Sequence, residues 1–128
     1  MENKKVILQP SEWILMEKLW GNPPRTIMQL FRALQEEQGW SKSTVNTMLG
    51  RMVQKGVIYY EEGEKAREYY PAVARDDAAI VETEGLLKRI YQGSVSMMLN
   101  TLIRNRNISD EEIQELYHIL GEAVNKDD

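Results

Sequence analysis

The chain has 128 residues, of which 42% are hydrophobic and 28% charged, with no cysteine and a formal net charge of −4. This is the composition of a folded globular protein of one domain, or of one small domain plus an extension that cannot bury itself alone; it argues against disorder, and the missing cysteines exclude disulfides, thiolate metal sites and thiol redox sensing. The opening MENKKVILQP has no apolar run long enough for a secretory leader, and no segment approaches the roughly 20 apolar residues that span a bilayer, so a cytoplasmic protein without membrane association is expected.

In chain order, Ser11 follows Pro10 and precedes Trp13, Met16 and Trp20, which share one helical face; Gly21 and the Pro23-Pro24 pair end that first helix. Thr26 is the expected cap of a second helix, whose Ile27, Leu30, Phe31 and Leu34 follow the i, i+3, i+4, i+7 pattern up to a left-handed stop at Gly39. Ser41 opens a third helix with Val45, Met48, Leu49, Met52 and Val53 inward, stopped by Gly56. The period then changes: Val57-Ile58-Tyr59-Tyr60 and Arg67-Glu68-Tyr69-Tyr70 flank a turn at 61–65 and read as a hairpin closed by Pro71. Three helices and a two-stranded wing make a winged helix-turn-helix. From Asp76 helical periodicity returns in three amphipathic segments: Ile80, Leu87, Ile90 and Tyr91; then Val95, Met98, Leu99, Leu102 and Ile103; then, behind a Ser109-to-Glu112 capping box, Ile113, Leu116, Tyr117, Leu120 and Val124.

The predicted fold class is therefore mainly α (α+β), with a winged-helix domain at 1–75 and a three-helix region at 76–128. The second region is marginal alone. Two-fold pairing with another copy is the simplest way to cover its three apolar stripes, so dimerisation is expected through Ile90, Tyr91, Val95, Met98, Leu99, Leu102, Ile113, Leu116 and Leu120.

Charge is distributed unevenly between these regions. Residues 1–75 carry net +2 and residues 76–128 net −6, and residues 38–60 contain no carboxylate while holding Lys42, Arg51 and Lys55. The outward positions of the third helix are Lys42, Ser43, Thr44, Asn46, Thr47, Gly50, Arg51, Gln54 and Lys55, and Ser41 at its start is a further candidate for DNA contact. Short hydroxyl and amide groups suit base edges in a major groove, and the flanking cations suit phosphate oxygens. A solvated face that merely lacks carboxylates is the plainer reading, and the capped helix before it and hairpin after it weigh against that. Lys65 and Arg67 in the wing, and Arg25 and Thr26 at the start of the second helix, are further candidates for phosphate contact, although Glu61, Glu62 and Glu64 oppose reading by the wing tip. Trp13, Trp20 and Phe31 are expected in the core, and Trp40 is expected to wedge between the second and third helices. His118 is the single histidine and makes no metal site with its acidic neighbours; no phosphate loop, nucleophilic triad or paired carboxylates appear, so neither an enzyme nor a cofactor is expected. A winged-helix adaptor that binds an acidic protein partner is the rival reading.

The stretches Ser11-Glu12-Trp13 through Trp20, Trp40 through Thr47, Arg51-Met52 to Lys55-Gly56, and Tyr69-Tyr70-Pro71 resemble the penicillinase-repressor (BlaI/MecI/CopY) family, and Tyr91-Gln92-Gly93, Leu99-Asn100 and Ser109 through Leu116 are similar to its dimerisation helices. The resemblance implies a homodimer on a double-stranded operator with the third helix in the major groove. In the antibiotic-resistance branch a membrane sensor protease triggers cutting between Asn and Phe in the dimerisation segment; the matching pair here is Asn100-Thr101, with threonine in place of the aromatic residue. The copper-responsive branch releases DNA through paired CxC motifs, and this chain has no cysteine to form them.

Overall fold

In the computed structural model, which describes residues 6–105 and 108–125, the elements run α1 (Pro10–Gly21), α2 (Ile27–Gln38), α3 (Lys42–Lys55), β1 (Ile58–Glu62), β2 (Arg67–Pro71), α4 (Arg75–Tyr91), α5 (Val95–Arg104) and α6 (Asp110–Asn125). Two compact units divide this order, the first ending at Thr83 and the second starting at Glu84 within α4.

In the first unit α1 begins at Pro10 with Gln9 as its N-cap, two residues ahead of Ser11. Pro10 has no N–H to satisfy and a φ already suited to the first helical position, and the Gln9 N–H is taken by the Glu12 carboxylate at 2.8 Å. At α2 the expected cap is present in both directions: the Thr26 hydroxyl accepts from the Gln29 N–H at 3.2 Å, and the Gln29 side-chain oxygen accepts from the Thr26 N–H at 2.9 Å. The Ser41 hydroxyl accepts from the Thr44 N–H at 3.1 Å to start α3. Gly39 and Gly56 close α2 and α3 at φ +74° and +83°, a left-handed conformation that a Cβ penalises.

Spacing on the three helices converts into one core. Leu15, Met16 and Leu19 of α1 meet Leu30 and Leu34 of α2, Val45, Met48, Leu49 and Met52 of α3, and Val57 and Ile58 behind them. Each fully buried aliphatic side chain contributes about 1.5–3 kcal/mol of transfer free energy, so a core of this size holds the small unit together. Val53, Trp13, Trp20 and Trp40 are half-buried against it, with the Trp13 and Trp20 rings 5.4 Å apart, while Phe31 is half-buried on α2.

The wing is an antiparallel pair with Ile58 opposite Pro71, Tyr59 opposite Tyr70, Tyr60 opposite Tyr69 and Glu62 opposite Arg67. Alternation sends Ile58 and Tyr69 inward and leaves Tyr59 outward, stacked on Tyr70 at 5.1 Å. Arg25 adds a one-residue bridge to the far edge, its N–H donating to the Tyr69 carbonyl at 3.1 Å and its carbonyl accepting from the Tyr69 N–H at 2.8 Å. The wing is thereby tied to the start of α2. Beyond it the Trp20 indole donates to the Val73 carbonyl at 2.9 Å, and Arg75 forks onto Glu17.

In the second unit Ser94 caps α5 through the Met97 N–H at 3.1 Å, and Ser109 caps α6 through the Glu112 N–H at 3.1 Å. No side chain of α5 or α6 is fully buried. Tyr91, Met98, Leu99, Leu102, Ile113 and Leu116 are half-buried, whereas Ile90, Val95, Ile103, Tyr117, Leu120 and Val124 stand exposed, Val124 at 72%. An apolar surface left this open is costly in water. Among the described residues no helix is long and apolar enough to cross a membrane.

Candidate nucleic-acid interface

Helical geometry sorts α3 into two faces: Val45, Met48, Leu49 and Met52 sink into the core, and Lys42, Ser43, Thr44, Asn46, Thr47, Gly50, Arg51 and Gln54 stand exposed. The outward face therefore carries the residue types that sequence reading singled out, with no carboxylate among them. Ser41 and Thr44 also serve the helix start, since the Ser41 hydroxyl both accepts the Thr44 N–H and donates to the Thr44 hydroxyl at 3.1 Å. Asn46 and Thr47, one turn further on, make no side-chain hydrogen bond of their own among those described and are free to meet another molecule.

A second group gathers beside the first turn of α3. Thr26, Ile27 and Met28 at the start of α2, Lys42, and Lys65, Ala66 and Arg67 of the wing line one groove of about 440 Å³. Three of its seven lining residues are cations. Arg67 lies 4.2 Å above the Tyr60 ring and donates to Glu62 at 3.2 Å, so Glu62 is partly neutralised by its cross-strand partner. Arg25 is half-buried and donates through Nε to the Asn22 carbonyl at 3.1 Å, which places it in the scaffold that joins α2 to the wing.

The far end of α3 is organised by a residue that the sequence reading passed over. Glu12 is 1% exposed, and its Oε1 accepts from Lys55 Nζ at 2.6 Å while Oε2 lies 3.8 Å from Arg51 Nε. Lys55 also donates to the Ile7 carbonyl at 2.9 Å. Burial works against the ionised Glu12 carboxylate, but the Lys55 hydrogen bond, the Gln9 N–H and the charges of Lys55 and Arg51 outweigh it and hold its pKa below the ordinary carboxylate value. Lys55, at 28% exposed, is thus committed to α1, whereas Arg51, at 58%, keeps its guanidinium in solvent. The available signal for Glu12 was its place three residues after Gln9 with proline between, a capping-box spacing with an unusual first residue.

The nine apolar positions expected to pair copies all lie in α4, α5 and α6, and none is fully buried in the single chain. Asn100 and Thr101 are exposed in the middle of α5, where the Thr101 hydroxyl donates to the Met97 carbonyl at 3.1 Å. His118 lies 3.6 Å from Glu122 on α6, and no cluster of three or more metal-ligating side chains occurs among the described residues.

Comparison with known proteins agrees with this layout. The chain is 29% identical over 119 residues to a penicillinase repressor of Bacillus licheniformis, covering 93% of both chains. It is 25% identical over 121 residues to the methicillin resistance regulatory protein MecI of Staphylococcus aureus, covering 94% of this chain and 98% of that one. Among solved structures it is similar to the DNA-binding domain of the repressor BlaI, with a TM-score of 0.53 at 22% identity over 59% of this chain and 93% of that one. It is similar also to monomeric Bacillus licheniformis BlaI in complex with the blaP half-operator, with a TM-score of 0.53 at 23% identity over 58% of this chain and 90% of that one. Both structural matches support the winged-helix fold of the N-terminal half. The penicillinase repressor family model matches residues 8–122, and the chain belongs to that family.

Proposed function

We propose that the protein is a cytoplasmic, homodimeric transcriptional repressor that inserts α3 into the major groove of each half of a palindromic operator. The observation that carries this reading is the exposed, carboxylate-free face of α3, with hydroxyl and amide groups at its centre and cations at its flanks. In this reading residues 1–75 read DNA and residues 76–128 pair the copies. Asn46 and Thr47 meet base edges, with Ser43 and Thr44 beside them, and Lys42, Arg51, Lys65 and Arg67 meet phosphates. Thr26 and Ser41 act mainly as caps that aim the first turns of α2 and α3.

Pairing governs affinity. Two linked reading heads gain about 10² to 10⁴ in avidity over one, so loosening the 76–128 region releases DNA without any change in α3. A sensor-controlled protease is one agent that would do this. At Asn100-Thr101 it would first have to open α5, since the bond lies inside a helix and proteases take extended chain. The test is a mobility shift and sedimentation series on the full chain with a palindromic site and an isolated half-site. A dimer that holds the palindrome far more tightly than the half-site is expected. A monomer, or a protein that ignores duplex DNA at low salt, would overturn the proposal, and the second result would favour an adaptor that binds an acidic protein.

A further inference from the structure

The groove beside the first turn of α3 contains more apolar surface than a phosphate can use. Its cations, Lys42, Lys65 and Arg67, share the lining with Ile27, Met28 and Ala66, and Met28 is 37% exposed. No carboxylate lines it. Its volume of about 440 Å³ falls among small-molecule sites, which run from roughly 300 to 1,000 Å³. A bare inorganic anion would pair the lysines and leave the apolar patch in water. A neutral hydrocarbon would cover the patch and leave the cations without counter-charge.

We propose that this groove binds a small amphiphilic anion, an aromatic carboxylate, and that such binding excludes DNA. The ring lies on Ile27 and Met28, where sulfur and an aromatic face attract one another, and the carboxylate meets Lys42 and Lys65, with the N–H groups of Arg67 not taken by Glu62 as further donors. The consequence for DNA rests on the proposed role of Lys42, Lys65 and Arg67 as phosphate contacts. One set of cations cannot serve both anions, so ligand and operator compete, each weakening the other by the same factor.

The test uses the full chain labelled at its methionine methyl groups, with 2-naphthoate as probe. Naphthoate should move the Met28 methyl resonance by ring current, and inorganic phosphate and 2-naphthalenemethanol at matched ionic strength should not. Met28→Gln should weaken naphthoate binding about fivefold, and Met28→Leu, which keeps the surface apolar, should retain it. In a parallel mobility shift, naphthoate should release operator DNA at concentrations where phosphate does not. A silent Met28 methyl, or release by phosphate as effective as by naphthoate, overturns the inference even with operator binding intact. A naphthoate-shifted Met28 in a protein that binds no DNA would leave the site standing and overturn the repressor reading instead.

Discussion

At the scale of single residues, Glu12 separates the two cations at the end of α3 into different roles. Its carboxylate is buried and holds Lys55 at 2.6 Å, so Glu12→Ala leaves a half-buried ammonium without its partner. Because Lys55 can swing toward water, the expected cost is below that of a fully buried broken pair, about 2 kcal/mol, measured by urea unfolding. The sign of the pH effect follows from the depressed pKa. The stabilisation is complete above the ordinary carboxylate range and is lost as pH falls through the lower folded value, so wild-type stability should drop below about pH 4 and Glu12→Gln should flatten that drop. Arg51→Ala is expected to act differently. It should weaken DNA binding across sequences and reduce the salt slope by about one, while Lys55→Ala mainly lowers stability. Asn46→Ala or Thr47→Ala should instead change which operator bases are preferred, as read by competition between site variants.

At the scale of elements, α3 divides its residues between packing and an exposed face, the one proposed to meet DNA. Gly50 lies on the exposed side, and a Cβ built there meets nothing within 4 Å, so no packing demand of the folded chain accounts for glycine at that position. Gly50→Ala should therefore stabilise the protein by about 1 kcal/mol through helix propensity. The same methyl would stand between the helix and a closely approaching duplex, so operator affinity should fall while the melting temperature rises. The wing turn behaves oppositely. A Cβ at Gly63 would come within 2.6 Å of the Ala66 carbonyl oxygen, so Gly63→Ala should destabilise the hairpin, seen as a lower thermal midpoint.

At the scale of the whole molecule, a net charge of −4 is compatible with the proposed DNA binding because the acid is placed away from α3 in sequence, with net −6 over residues 76–128. The second unit exposes a run of apolar residues that a solitary chain would leave wet. Leu99→Asp combined with Leu102→Asp should convert the sedimenting species to monomer and lower affinity for a palindrome by about 10²-fold, with little change on a half-site. Equal losses on both DNAs would place those leucines in folding rather than in pairing.

Much of this molecule is legible in its sequence. Thr26, Ser41, Gly39 and Gly56 announce helix boundaries through local chemistry, and the change from a 3.6 to a 2.0 period at Val57 announces the wing, because caps, turns and periodicity depend on neighbours a few residues apart. The outward set on α3 follows from the same arithmetic, except Lys55, which turns back to Glu12 of α1. What tertiary structure alone decided joins residues far apart in the chain: Glu12 with Lys55, Arg25 with Tyr69, and Lys42 with Lys65 and Met28 around one groove. No local periodicity encodes those meetings, since they arise only when the core forces three helices and a hairpin into one packing.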